Sequence, residues 1–376
     1  MRIAVNTRLL VPEKMDGIAR FSFETLQIIT KEHPEVQFTF IFDRKVDPST
    51  FNFPKNVTFV SISPPARHPV LWYIWFEISL KKYINNDNFD LFLSPEGWVP
   101  PKLNCKSLAV IHDLNFEHNP ENIIWGHRKY LLHFFPKFAK RATRIATVSE
   151  YSKNDIVKTY NIPASRIDVV YNGANEIFKP ASVAEITDFK RKKTSNSNFF
   201  IFIGTIHPRK NLEHLLLAFD TFKKRSTTGV KLLIVGNKKW WPSELERTYQ
   251  SLQFKGEVVF MGRLADQELS IALSGALALT YLPYFEGFGI PILEAFQSET
   301  AVITSNVTSM PEVAADAAIL CDPRSVIDIA GAMQFIEKNA TKRDDLIEKG
   351  KLRQQSFSWQ KSADLLWNSI QKTMAN

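Results

Sequence analysis

Short runs of apolar, β-branched and aromatic residues alternate with longer stretches in which apolar positions recur every three or four residues, and the alternation continues along the whole chain. The runs predict strands at Ile3–Asn6, Phe38–Phe42, Val57–Ile62, Leu91–Ser94, Leu108–Ile111, Ile145–Val148 and Val169–Tyr171 in the first half. In the second half they predict strands at Phe199–Ile203, Leu232–Val235, Val258–Met261, Ala278–Leu282, Val302–Thr304 and Ala318–Cys321. Strands buried on both faces read as continuous apolar runs, and the helix-length segments between them suit right-handed crossovers. The expected fold class is α/β with parallel sheets. A chain of 376 residues exceeds what one core usually organises, so two domains are expected. The charged, polar stretch 190–198 has little to give a core, and it marks the boundary. The expected division is 1–178, a linker at 179–198, a second domain at 199–356 and a final amphipathic helix at 357–376.

Composition narrows the class. Hydrophobic residues make up 44% and charged residues 23%, the balance of a folded, water-exposed protein. The opening run reads as a buried strand and not as a secretory signal, and no stretch approaches the ~18 apolar residues of a membrane span. Cys105 and Cys321 fit neither a disulfide framework nor a metal pattern, so a reducing cytoplasm is the expected compartment. The net charge of +8 invites a polyanion. Nucleic acid is disfavoured, because no zinc-finger spacing, aromatic RNP motif or Lys/Arg block appears. Phosphorylated small molecules and anionic membrane surfaces remain.

The densest chemistry lies in Tyr281-Leu-Pro-Tyr-Phe-Glu-Gly-Phe-Gly-Ile-Pro-Ile-Leu-Glu-Ala-Phe296. A strand ends near Leu282, a loop holds Gly287 and Gly289, and Pro291 suits the first turn of a helix. Glu294 then lies in the opening turns of that helix, whose terminus favours a phosphate. Glu286 is eight residues earlier, on the loop, and paired carboxylates suit sugar and ribose hydroxyls. Either glutamate alone reads as a dipole partner or a solvated charge; together, with the glycines and proline between them, they read as a site. Gly204, Gly236 and Gly262 each follow a predicted strand, where ligands of open α/β sheets bind, though each also suits a tight turn.

A second segment runs Ile203-Gly-Thr-Ile-His-Pro-Arg-Lys-Asn-Leu-Glu. Asn211 is an expected N-cap, and Leu212, Leu215, Leu216, Phe219 and Phe222 form a helical stripe. Arg209 and Lys210 then stand at a helix mouth with no acidic neighbour in sequence until Glu213. Further on, Ser309 and Glu312 have the spacing of a capping box. In the first half, His112 and Asp113 end a strand, and Asp16-Gly-Ile-Ala-Arg-Phe stands near the start. The histidines lack metal-ligand spacing and no Asp-x-Asp occurs, so no catalytic metal is expected. Two aromatic, basic stretches, 67–83 and 127–144, suit either helices covering the first sheet or helices lying on a membrane.

The segment 286–294 resembles the E-x7-E motif of family 4 retaining glycosyltransferases of the GT-B fold. The resemblance implies two Rossmann-like domains whose parallel sheets face a cleft holding the donor. It implies that Glu286 meets the donor sugar, that the backbone from Gly287 through Phe288, Gly289 and Ile290 meets sugar and phosphate, and that Glu294 binds the ribose. The run from Gly204 to Asn211 is similar to the family's G-T-x-x-P-R-K-N, which implies Arg209 and Lys210 on the donor pyrophosphate; many relatives carry Gly-Arg where this chain has Gly204-Thr205. A family-like His-Asp implies His112 directed at the sugar, and the similarity of Gly17 to a G-x-G-R loop implies a phosphate or acceptor contact there, although Ala19 replaces the second glycine. The final helix is implied to brace the first domain. Implied too are a nucleotide-sugar donor, a saccharide or lipid-linked saccharide acceptor, no metal, and same-face transfer with the leaving phosphate taking the acceptor proton. The Pro-Arg-Lys-Asn subgroup resembles mannosyltransferases of bacterial surface polysaccharide synthesis, which makes GDP-mannose the expected donor and UDP-sugars the alternative. A cytoplasmic enzyme follows, with contact at the inner membrane face left open. A non-catalytic nucleotide-binding scaffold and a nucleotide-sugar epimerase or hydrolase are the rival readings. A dinucleotide dehydrogenase is disfavoured, since no strand leads into G-x-G-x-x-G.

Overall fold

The apolar runs assemble into two parallel sheets, one in each of two structural units, in a computed structural model that describes residues 1–11, 15, 17–238 and 241–375, without the side chain of residue 122. Asp16 of the loop before Gly17 therefore lies outside the described residues. One unit comprises Met1–Gly173 together with the final segment from Trp359; the other is Ala174–Ser358.

The first sheet contains β1 (Arg2–Asn6), β2 (Gln37–Phe42), β3 (Val57–Ser61), β4 (Leu91–Ser94), β5 (Lys106–Ile111), β6 (Arg144–Thr147) and β7 (Ile167–Val169). Their order is β3-β2-β1-β4-β5-β6-β7, and every neighbouring pair is parallel. Strand β7 sits two residues earlier than the apolar run around Val169–Tyr171 suggests, because Ile145 pairs with Ile167. Helices cover the sheet with their apolar sides. The helix Gly17–Glu32 buries Phe21, Leu26 and Ile29, and the helix Trp125–Arg141 buries Tyr130, Phe135 and Phe138. The last helix, Trp359–Ala375, packs its Trp359, Leu366 and Ile370 side against the helix Gly17–Glu32 and β5. Its polar contacts lie in the same unit: Lys372 Nζ meets Asp168 at 3.0 Å, and His33 stacks on Trp367.

The second sheet contains β8 (Phe199–Ile203), β9 (Lys231–Val235), β10 (Val258–Gly262), β11 (Ala278–Tyr281), β12 (Val302–Ser305) and β13 (Ile319–Cys321), in the order β10-β9-β8-β11-β12-β13 and again all parallel. Strand β8, Phe-Phe-Ile-Phe-Ile, is buried along its whole length. The helix Leu212–Lys223 lays its Leu215, Leu216, Phe219 and Phe222 stripe into this core.

The segment 179–198 is not a linker. Residues Val183–Thr194 form a helix of the second unit, closed by a capping box in which Ser182 and Glu185 satisfy each other's backbone N–H. Its charges point outward as Asp188–Arg191 and Asp188–Lys192 pairs, while Phe189 and Thr194 are buried. The polar composition that looked unfit for a core is the solvent face of an amphipathic helix.

Candidate functional site

The order of the second sheet makes β8 and β11 neighbours although about 75 residues separate them in sequence. From β8 the chain winds outward through β9 and β10, then returns to β11 on the other side. This is the topological switch point, and loops leaving the carboxyl ends of such strands part to form a crevice. The two loops are the ones carrying the sequence motifs.

After β8, Gly204 adopts φ +148° and the chain enters a short turn over Pro208–Lys210. Gly236, at the end of β9, lies so close that a Cβ there would stand 1.9 Å from Gly204 O, so only glycine fits. The turn ends at Asn211, whose left-handed φ of +59° keeps its side chain from capping the following helix. Instead Asn211 Nδ2 donates to Leu282 O at 3.0 Å and Pro323 O at 2.6 Å, tying the turn to the end of β11. A backbone bond from Tyr284 N to Arg209 O, 2.8 Å, adds a second tie.

These ties bring Arg209 and Lys210 to Glu286, 77 and 76 residues away. Lys210 Nζ donates to Glu286 Oε2 at 2.5 Å, Arg209 Nη1 donates to the same oxygen, and the Tyr281 hydroxyl lies beside both Lys210 and Glu286. The two cations that lack an acidic neighbour in sequence thus share a carboxylate in space. Side-chain exposures are 25% for Arg209, 11% for Lys210 and 15% for Glu286, so the cluster reaches solvent through a narrow face. Burial by itself would push the Glu286 carboxyl up; Arg209 and Lys210, with hydrogen bonds from Lys210 and Tyr281, overcome it and bring the carboxyl from 4.5 down to about 2. The Tyr281 hydroxyl is displaced upward, first by burial and then by the negative Glu286.

The rest of the motif is pinned by backbone contacts. Gly289 takes φ +102° and opens the helix Ile290–Gln297, with Pro291 in its first turn. A Cβ at Gly289 would stand 2.7 Å from Met310 Cε. Gly287 and Phe288 are buried, and Ile290 is half-buried. Glu294 is the fifth residue of this helix, half-buried, and close enough for its charge to act on Tyr281. Ser309 and Glu312 do not make the capping box that their spacing suggests. Ser309 has helical backbone angles and makes no side-chain cap; its Oγ donates to Glu286 O at 2.8 Å and lies 3.3 Å from Phe288 O. The residue that reads as a helix cap is a clamp on the glutamate loop.

The structure therefore brings Gly204, Arg209, Lys210, Glu286, Gly287, Phe288, Gly289, Ile290 and Glu294 together in the second unit. Tyr281 joins them as a residue that sequence reasoning missed, and Ser309 as one that it read as a helix cap. A tyrosine closing the buried strand Ala278–Tyr281 was the available signal for the first. His112 and Gly17 belong to the first unit. His112 follows β5; its Nε2 donates to Pro95 O at 2.8 Å, and its ring meets Phe21 edge-on at 5.1 Å. That bond places the proton of the neutral ring on Nε2. Asp113 accepts from Asn115 N at 2.9 Å, a turn-forming role. Gly17 starts its helix with no steric need for glycine, since a Cβ there would meet nothing within 4 Å.

Chemically, the second-unit cluster holds two fixed cations, one carboxylate they can exchange for another anion, and a helix start with close backbone approach. That is an arrangement for a phosphate-bearing ligand. Comparison with known proteins points the same way. The model of the glycosyl transferases group 1 family matches residues 183–353, and that of Glycosyltransferase Family 4 matches residues 26–176. The chain is 30% identical over 272 residues to the O-antigen chain mannosyltransferase RfbU of Salmonella typhimurium, covering 72% of this chain and 71% of that one. It is 27% identical over 271 residues to O-antigen chain mannosyltransferase B of Escherichia coli, with the same coverage of each. Among solved structures, sucrose-phosphate synthase from Thermosynechococcus elongatus is similar with a TM-score of 0.77 at 19% identity, covering 100% of this chain and 99% of that one. WaaG, a glycosyltransferase involved in lipopolysaccharide biosynthesis, is similar with a TM-score of 0.73 at 16% identity, covering 97% and 99%. At those identities the likeness to the solved structures is one of fold.

Proposed function

The chain belongs to the family 4 glycosyltransferases of the GT-B fold, and from that premise we propose that it is a retaining mannosyltransferase using GDP-mannose to extend a saccharide or lipid-linked saccharide in surface polysaccharide synthesis. The observation that carries the reading is the Arg209–Lys210–Glu286 cluster at the switch point of the second sheet. The donor diphosphate displaces the Glu286 carboxylate from Arg209 and Lys210. Each charge-assisted bond contributes about 1.5–3 kcal/mol, against about 0.3–1 for the dipole of the helix at Ile290, so the two side chains dominate diphosphate binding. The released Glu286 turns to the sugar hydroxyls, and Glu294 takes the ribose. In the transfer step the acceptor oxygen bonds to C1 of the sugar as the C1–oxygen bond to phosphate breaks. The departing phosphate accepts the acceptor's proton, so no protein nucleophile is required, and Arg209 and Lys210 stabilise the charge that develops. No metal takes part. A lipid-linked acceptor would bring the enzyme to a membrane surface.

The reading is tested first by thermal shift against GDP, UDP, ADP and their sugars, since a ligand that binds the folded state raises its melting temperature by mass action. Selective stabilisation by GDP supports the donor; stabilisation by UDP replaces it with a UDP-sugar; no response to any nucleotide favours a scaffold. The anomeric configuration of the product, read by NMR, then separates retention from inversion.

A further inference from the structure

Helices over a parallel sheet bury one side and turn the other to water, and that outer side is ordinarily polar. Two helical stretches of the first unit depart from this. Apart from Met1 and Leu365, every exposed large apolar side chain among the unit's described residues comes from spans 70–78 and 124–132. Val70 is 63% exposed, Ile78 52%, Ile124 67% and Trp125 64%.

The two spans are neighbours. Tyr73 meets Phe134 at 5.7 Å between ring centroids, and Trp72 meets His127 at 4.6 Å. Between them opens a cavity of about 610 Å³ walled by Pro69, Val70, Tyr73, Tyr130 and Phe134, with Lys129 and His133 also lining it. Cations frame it. From His127 to Arg144 there are six Lys or Arg and no acid. Arg141 is paired with Glu77 and Arg144 with Asp168, whereas Lys129, Lys137 and Lys140 are exposed and meet no carboxylate among the described residues. Trp125, Lys129, Leu132, His133, Lys137 and Lys140 follow one another at helical spacing, so one outward stripe of the helix is both apolar and basic. The Lys129 ammonium lies 4.1 Å from the centre of the Trp125 ring.

We infer that this face docks the first unit on an anionic phospholipid bilayer. Ile124 and Trp125 enter the headgroup boundary, the cavity receives an acyl chain, and the lysines meet lipid phosphates. A bilayer suits the site better than an acidic peptide. The walls offer almost no hydrogen-bonding groups, so peptide N–H and C=O groups would be stranded there, while a hydrocarbon chain has none to satisfy. No described helix is long and apolar enough to cross a membrane, so the contact is at the surface. The inference deepens the lipid-linked acceptor reading, because such an acceptor must be met at a membrane.

Flotation of the full chain with phosphatidylglycerol-containing vesicles and with pure phosphatidylcholine vesicles tests it. The wild type is expected to float with the former, less so as salt rises, and to stay behind with the latter. Lys129→Glu/Lys137→Glu should weaken binding to the anionic vesicles by at least roughly 30-fold, taking about fivefold per unit of charge over the four units reversed as an upper scale and allowing for screening. Ile124→Ser/Trp125→Ser should abolish flotation while melting temperature and far-UV circular dichroism stay at wild-type values. Absence of wild-type flotation, binding that ignores lipid charge, or binding untouched by the apolar pair would each overturn the inference. Vesicle binding is read without donor or acceptor, so failure here leaves sugar transfer standing, and failed transfer leaves this surface standing.

Discussion

Replacing Glu286 by glutamine should tighten diphosphate binding while slowing transfer. In the ligand-free protein the carboxylate is held by Arg209, Lys210 and Tyr281, and the resulting descent of its pKa from 4.5 to about 2 corresponds to roughly 3 kcal/mol in favour of the charged form. A diphosphate that draws the two cations to itself forfeits up to that amount. Glu286→Gln removes the competing charge with little change of shape, so Kd for GDP should fall by roughly tenfold to a hundredfold. The same variant loses the charge-assisted bonds that Glu286 would make to the sugar, so kcat with the sugar nucleotide should fall by roughly tenfold to a hundredfold. Isothermal titration gives Kd, and initial rates give kcat.

The pH dependence carries a matching sign. In the free protein Glu286 stays charged down to about pH 2. Once the ligand holds the cations, burial dominates and the carboxyl rises, so binding takes up a proton at mildly acidic pH and tightens as pH falls. Glu286→Gln lacks that component, and comparing the two proteins cancels the titration of the nucleotide itself. If Glu286→Gln bound GDP no more tightly than wild type, or more weakly, the carboxylate would be a ligand-binding group and not a competitor, and the exchange would be refuted.

Lys210→Ala should reduce kcat/KM by roughly 10²–10³, the scale of losing one transition-state donor, in a protein whose circular dichroism is unchanged. Gly236→Ala should cost at least about 2 kcal/mol in urea denaturation, because its Cβ would meet Gly204 O at 1.9 Å and its φ is +151°. Ser309→Ala frees the Glu286–Phe288 loop from its clamp and should raise KM for the donor several-fold, on the scale of about 1 kcal/mol for one buried hydrogen bond, with a smaller effect on the melting temperature than Gly236→Ala. Prolonged EDTA treatment should leave the transfer rate unchanged, and restoration of a lost rate by magnesium or manganese would overturn the metal-independent reading.

Much of the fold was legible in the chain itself. A strand buried on both faces must be apolar throughout, so runs such as Phe199–Ile203 announce themselves, and the helical stripe from Leu212 to Phe222 follows from a period of 3.6 residues. The glycines at 204, 236 and 289 were visible because positive φ leaves little alternative. The site motifs were legible as residue types: two glutamates eight apart, two cations after a strand, a proline at a helix start. Residues 183–194 were misread because a short helix with a narrow buried side carries mostly its solvent-facing polarity.

Sequence alone thus determined which residues are chemically equipped to act, since local spacing and backbone preference are properties of neighbours along the chain. Which of them meet was decided by strand order. Only when β8 lies beside β11 do Arg209 and Lys210 find Glu286 and Tyr281, across more than 70 residues. The same proximity turns Asn211 from a cap into a tie between loops, and the pairing of β11 with β12 turns Ser309 from a helix cap into a clamp. Charge pairing and hydrogen bonding act over a few ångströms of space, and distance along the chain carries no record of them.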